Sequence, residues 1–265
     1  MSVRNLEALF APASVAVIGV PEQPDQVGNV VLRNLQQSGF EGPLWIVDRH
    51  AGVVGGLQAF PDVDSLPQAP DLAVVCTPAA AVPSIIEALA RKGTRAAAVI
   101  TAGLRHTPAE QAMLAAARPA LLRILGPNCL GLLVPGAGLN ASFAPGAAQP
   151  GNLAFVTQSG ALATAMLDWA NSRGIGFSHF VSLGDCADVD FGDVLDYLAS
   201  DPGTRAILMY MESVTQARKF MSAARAAARN KPVIVVKAGR APEGAKAAAS
   251  HTGALAGSDA VFDAA

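Results

Sequence analysis

Residues 247–257 read Ala-Ala-Ala-Ser-His-Thr-Gly-Ala-Leu-Ala-Gly, with His251 the one imidazole among small side chains. Small residues leave a bare backbone that a bulky anion can approach closely. The stretch follows an apolar run at 232–236 and precedes a helix-start pattern, so His251 is expected on a strand-to-helix loop. Backbone N–H groups at a helix N-terminus attract anions. A histidine facing such a site is a candidate nucleophile toward phosphate, because imidazole can form covalent intermediates. A lone loop histidine is usually a surface residue or a local hydrogen-bond partner, so the weight falls on its companions.

Glu212 ends the apolar run 206–211, on the sheet edge expected to carry His251. A carboxylate there, accepting a proton from one ring nitrogen, would fix the tautomer and leave the other nitrogen nucleophilic. Gln158, Ser159 and Gly160 open a helix after the run 153–157. A Ser-Gly pair at a helix start is a candidate anion cradle as well as a plain N-cap, and the two roles are compatible. With Thr252 and Gly253 beside the histidine, Ser159 and Gly160 make up the expected phosphate-binding set. Lys237 and Arg240 are candidates to balance phosphate charge, whereas Lys231 and Arg218 read as surface charge.

A second set of candidates lies in the first half of the chain. Gly19 ends the first apolar run and, with Val20, begins a long loop reaching Gly28. A glycine at this place lets a backbone approach a nucleotide, although the spacing and the prolines depart from G-x-G-x-x-G. Asp48 and Arg49 end the second run. An acid there would bind the adenosine ribose of NAD, while an arginine would pair with a phosphate. Cys76-Thr77-Pro78, Thr101-Ala102-Gly103 and Asn128-Cys129 follow the next three runs. Ligands of open α/β sheets bind outside the carboxyl ends of strands, so these loops belong to one crevice. Cys129 reads as a packed small residue, since no histidine or lysine adjoins it in sequence.

These residues need a scaffold, and the hydropathy pattern supplies one. Apolar runs at 14–19, 44–47, 72–76, 96–100 and 121–125 alternate with helical patterns at 27–37, 82–91 and 108–118. A second series follows: runs at 153–157, 177–183, 206–211 and 232–236, with helices starting near 161, 191 and 216. Such alternation predicts an α/β fold with parallel sheets: a Rossmann-like domain over 1–137 and a flavodoxin-like domain over 152–265, each with its own core. The Gly- and Pro-rich stretch 138–151 reads as a linker. Hydrophobic residues make up 51% of the 265 and charged ones only 15%, as expected where strands are buried on both faces. Net charge −2 and a pI near 6.1 leave no footprint for nucleic acid. No apolar run is long enough to span a bilayer, and the N-terminus lacks a signal-peptide core. Three scattered cysteines fit neither a disulfide framework nor a metal site, which points to a reducing cytoplasm. The chain ends inside a helical pattern, as a fragment of a longer protein or an engineered stop would.

Four segments in order, GPNCLG at 126–131, TQSGALATAMLDWA at 157–170, GFSHFVSLGDCADVD at 176–190 and SHTGALAGSDAVFDA at 250–264, resemble the NDP-forming acyl-CoA synthetases. These are the ADP-forming acetate–CoA ligases, related to the succinyl-CoA synthetase alpha subunit. The resemblance implies a CoA-binding Rossmann-like domain followed by a succinyl-CoA-ligase-like flavodoxin domain. It implies interconversion of acyl-CoA, phosphate and ADP with acid, CoA and ATP, through an acyl phosphate and a phosphohistidine at His251 steadied by Glu212. CoA is expected over Gly19, Val20, Asp48, Arg49, Cys76, Thr77, Pro78, Thr101, Ala102, Gly103, Asn128 and Cys129. The partners implied are a small carboxylic acid or acyl-CoA and an ATP-grasp domain or beta subunit, in a homodimer or hetero-oligomer. ATP, ADP and Mg2+ would act only through that ATP-grasp part, of which this chain shows no pattern. The chain departs from the common family pattern at Val20-Pro21, at Asp48-Arg49 and at Asp185-Cys186. Two other readings stand beside this one: an acyl-CoA-sensing region of a protein lysine acetyltransferase, and an NAD-dependent oxidoreductase resting on Asp48.

Overall fold

A computed structural model describes residues 3–21, 23, 25–50 and 52–239. His251, Thr252, Gly253 and Arg240 lie outside the described residues. After a short helix α1 (Glu7–Phe10), the first half alternates β1 (Val15–Ile18), α2 (Val27–Gln37), β2 (Leu44–Val47), β3 (Val53–Val54), β4 (Leu57–Phe60), β5 (Leu72–Val75), α3 (Val82–Lys92), β6 (Ala96–Val99), α4 (Pro108–Ala117) and β7 (Arg123–Leu125). These strands form one sheet in the order β3-β4-β2-β1-β5-β6-β7, parallel except where β3 meets β4. Every residue of β1, β5 and β6 is buried, which is why they read as unbroken apolar runs.

The second half contains β8 (Gly131–Val134), β9 (Leu139–Ser142), β10 (Pro150–Thr157), α5 (Gly160–Ser172), β11 (Phe177–Ser182), α6 (Phe191–Ser200), β12 (Ala206–Met211), α7 (Ala217–Ala228) and β13 (Val233–Lys237). Its sheet order is β13-β12-β10-β11-β8-β9. The parallel series expected from 153 onward is present, with β8 and β9 added antiparallel at one edge. The segment 138–151, expected as a linker, therefore contains β9 and the start of β10. Its first residue, Gly138 with φ +62, closes the tight turn that Pro135 and Gly136 begin. The polar letters of β9 hid the strand: Asn140 and Ser142 are buried, and the Ser142 hydroxyl donates to Asn140 Oδ1 at 2.6 Å.

Each half keeps a core of its own, with Ile18, Val75, Ile86 and Ile124 in the first and Phe155, Leu167, Phe177 and Phe180 in the second, and a further core is shared between them. One hydrophobic cluster runs from Leu9, Val31 and Leu35 through Leu139 and Ala141 to Val194, Leu195 and Met209. Asn34 of α2 donates to the carbonyls of Ser142 (2.8 Å) and Ala144 (2.9 Å), fastening the first half to β9. The loop after β11 runs alongside the end of β7. Asp185, Ala187 and Val189 donate main-chain bonds to Pro127 (2.9 Å), Gly126 (3.0 Å) and Ile124 (3.0 Å). Arg123 sits across this seam, pairing with Asp188 at 2.9 Å and Asp193 at 3.0 Å. Lys219 of α7 reaches the same Asp193 at 2.6 Å and Asp190 at 3.0 Å.

A second polar cluster lies inside the sheet. His179 on β11 is buried, with Asp201 Oδ2 3.7 Å from Nδ1, Thr204 Oγ1 at 3.5 Å, and Phe10 and Tyr197 edge-on against the ring. Lys231, which reads as surface charge in the sequence, instead donates from Nζ to the carbonyls of Leu198 (2.5 Å) and Asp201 at the end of α6. Burial holds the His179 ring below its ordinary pKa, Asp201 opposing and Lys231 reinforcing the shift.

Two measurements follow from this architecture. Arg123→Ala leaves Asp188 and Asp193 without their shared cation, and losing one partner of a buried pair costs about 3 kcal/mol. Calorimetry is expected to show a melting temperature lowered by roughly 6 °C or more; an unchanged melt would deny the seam its role. Because the folded His179 resists the proton that the unfolded chain takes up near pH 6.5, the unfolded state binds more protons below that pH. Stability is therefore full above pH 6.5 and falls as the solution is acidified toward pH 5. His179→Gln is expected to flatten that slope in melts across this range, and an equally steep slope in the variant would place the effect elsewhere.

Candidate functional site

Strand order reverses beside β1 in the first sheet and beside β10 in the second, and such switch points are where open α/β sheets bind ligands. Here both switch points open on one cavity of about 1270 Å³ between the two halves.

The first-sheet wall is built from the loops after β1, β2, β5, β6 and β7. Gly19 has φ +87, and a Cβ there would meet Thr77 Cγ2 at 2.8 Å. A Cβ on Gly28, in the first turn of α2, would meet Gly19 O at 2.1 Å. Glycine at both places lets the start of α2 press onto the β1 turn, which brings Gln26, Val27 and Gly28 into the cavity wall. The positive end of that helix dipole favours an anion. Adjacent loops are tied in series. Cys76 N–H donates to Ile18 O (2.8 Å), the Thr101 hydroxyl to Thr77 O (2.6 Å), and Asn128 N–H to Thr101 O (2.9 Å).

Of the candidates in this half, Gly19, Asp48, Arg49, Cys76, Thr77, Pro78, Thr101, Ala102, Gly103, Asn128 and Cys129 all line the cavity. Val20 does not; it is fully buried in the core. Asp48 Oδ1 accepts from His50 N–H at 3.0 Å, which folds the β2 loop so that Arg49 and His50 line the cavity with it. Cys129 is almost entirely buried, its thiol 3.4 Å from Val99 O. Burial pushes the Cys129 thiol up to about 12, and it raises Cys76 further, so neither offers a thiolate near neutral pH.

The second-sheet wall comes from Gln158, Gly160 and Ala161 at the start of α5, Gly184 and Asp185 after β11, and Glu212 and Ser213 after β12. Glu212 is nearly buried, at the strand end where the sequence places it. Ser159 is the N-cap of α5: its hydroxyl accepts from Leu162 N–H at 3.3 Å, and it is not among the lining residues. Gly160 and Ala161, the first residues of that helix, are. Asp185 accepts from Asn128 Nδ2 at 3.4 Å across the seam, and burial raises its carboxyl above the usual value against that bond.

Several lining residues carried no functional reading in the sequence. Asp62 follows β4, a strand the hydropathy pattern did not reveal, so its loop went unnoticed. Arg105 lies two residues beyond Gly103 and adds a cation to the first-sheet wall. Gln158 was legible only as part of a helix start. Its Oε1 accepts from Glu212 N–H (2.8 Å) and Ser213 N–H (3.0 Å). Among the described residues, no group of three or more His, Cys, Asp or Glu is placed to hold a metal ion, and no helix is long and apolar enough to cross a membrane.

The halves match two described families: a CoA binding domain over residues 13–135, and the succinyl-CoA ligase like flavodoxin domain over 150–265. The chain is 42% identical over 270 residues to acetate–CoA ligase [ADP-forming] I subunit alpha of Pyrococcus furiosus, covering 98% of this chain and 58% of that protein. The chain belongs to the NDP-forming acyl-CoA synthetase family. A second relative, acetate–CoA ligase [ADP-forming] I of Archaeoglobus fulgidus, is 43% identical over 96% of this chain and 37% of its own length. Among solved structures, the dinucleotide forming acetyl-coenzyme A synthetase 1 of Ca. Korarchaeum cryptofilum, in complex with phosphate and ADP, superposes with a TM-score of 0.93 at 39% identity. That match covers 98% of this chain and 57% of the other. This member of the family thus spans little more than half the length of the P. furiosus subunit and well under half of the A. fulgidus protein.

The CoA-binding half suits its ligand on grounds of its own: a crevice at the switch point, cations at Arg49 and Arg105, a helix N-terminus, and a buried Thr77 hydroxyl that lacks a hydrogen-bond partner. Gly28→Ala forces the start of α2 off the Gly19 carbonyl. The affinity for CoA, read by titration calorimetry, is expected to fall at least about tenfold. Binding at wild-type strength would separate the α2 start from the CoA site.

Proposed function

We propose that this chain is the CoA-ligase portion of an ADP-forming acid–CoA ligase, and that it works through a phosphohistidine at His251. The observation that carries the reading is the single cavity joining the two switch points, since it lets a thioester laid over the first-sheet loops reach the Glu212 strand end. In the acyl-CoA-consuming direction, a phosphate oxygen attacks the thioester carbonyl, giving acyl phosphate and releasing CoA as the thiol. An imidazole nitrogen of His251 then takes the phosphoryl group and the acid leaves as its carboxylate. ADP receives the phosphoryl group to give ATP and free His251. That last transfer belongs to an ATP-grasp domain or beta subunit, which would bring Mg2+ to the nucleotide phosphates. The Glu212 carboxylate accepts a hydrogen bond from the N–H of the non-reacting ring nitrogen, fixing the tautomer. Gly160, Thr252 and Gly253 hold the phosphate, with Ser159 setting the helix start that presents Gly160. A cytoplasmic location, a hetero-oligomer with the ATP-grasp part, and a small carboxylic acid as substrate complete the reading.

The thiols do not compete for this chemistry, because burial keeps Cys76 and Cys129 protonated. The NAD reading loses its support in the first-sheet match to a CoA binding domain. The test is covalent labelling. The chain, together with its ATP-grasp portion, is incubated with ATP labelled at the γ-phosphate, and acid-labile, base-stable label is expected on His251 and absent from His251→Ala. Glu212→Gln is expected to slow labelling at least about tenfold. No label on the wild-type protein, with acyl-CoA still bound, would instead favour the acyl-CoA-sensing reading.

A further inference from the structure

The Gln158 side chain does more than fill the cavity wall. Successive N–H groups of an extended strand point to opposite sides. Those of Glu212 and Ser213 instead converge on one oxygen, Gln158 Oε1, at 2.8 and 3.0 Å. The chain therefore turns away from the sheet at Glu212, a residue that lines the cavity. The other end of the amide donates to Cys186 Sγ at 3.5 Å, in the loop that carries Gly184 and Asp185. One amide thus ties together the three loops that form the second-sheet wall. Two adjacent N–H groups aimed at one point form a concavity that takes a negative or strongly polar acceptor.

We propose that Gln158 is the positioning residue for Glu212: acting as a hydrogen-bond acceptor, it fixes the turn that aims the Glu212 carboxylate. The proposal rests on the reading of Glu212 as the partner of the His251 imidazole. Gln158 touches neither phosphate nor thioester in this account; it acts through Glu212 alone.

A double-mutant cycle tests that dependence, because residues acting through one another are not additive. Gln158→Met keeps the length of the side chain and removes the acceptor; Gln158→Asn keeps an amide but withdraws it by one methylene. The rate of His251 labelling from γ-labelled ATP is measured in the protein with its ATP-grasp portion, with Glu212 intact and in the Glu212→Gln background. Both Gln158 variants are expected to lose at least about tenfold with Glu212 present and less than about twofold with Glu212→Gln. Hydrogen exchange at the Glu212 and Ser213 amides is expected to quicken in Gln158→Met. An equal loss in both backgrounds, or no loss with Glu212 intact, would overturn the positioning role while leaving the phosphohistidine standing. Absence of label on His251 in the wild-type protein would remove the reading beneath it, and the proposal with it.

Discussion

The seam where residues 124–128 lie against 185–189 governs the rest of this structure. Neither sheet alone encloses a site: each offers a row of loops at its carboxyl edge. The three main-chain bonds across the seam, locked by Arg123 between Asp188 and Asp193, set the two rows facing one another. Burial makes the lock effective. Both Asp193 and Arg123 are largely withdrawn from water, where charge pairing is less screened and a missing partner is costly. The second fastening, Asn34 of α2 against β9, holds the opposite side of the same junction.

Much of this was legible in the sequence, because buried parallel strands announce themselves. The runs 14–19, 72–76 and 96–100 are apolar on both faces, and the structure places strands within them. α2 is amphipathic and its observed limits are those the pattern predicts. What stayed hidden was hidden for physical reasons. β9 satisfies its polar side chains internally, so its letters resemble a loop. β3 and β4 are short strands at the exposed edge of their sheet, with little apolar period to read. The loop residues of the crevice were legible because strand ends are placed by the fold. Gln158 and Arg105 were not, because their importance lies in contacts with residues distant in sequence. Val20 shows the reverse case, a residue adjacent to the right glycine whose side chain turns into the core.

Both cavity walls carry a helix N-terminus and carboxylates, α2 with Asp48 and Asp62 on the first-sheet side and α5 with Asp185 and Glu212 on the other, while the cations Arg49 and Arg105 lie on the first-sheet side. The Cys76 and Cys129 thiols among the first-sheet loops have raised pKa values and stay uncharged near neutral pH.

The shared hydrophobic cluster carries one more consequence. Swinging the two sheets apart would break the Arg123 pairs, three main-chain bonds and a continuous apolar layer at once. The crevice is thus a fixed gauge rather than a closing jaw. A ligand meets the spacing that the two sheets already have, and any rearrangement of the surrounding loops leaves that spacing in place.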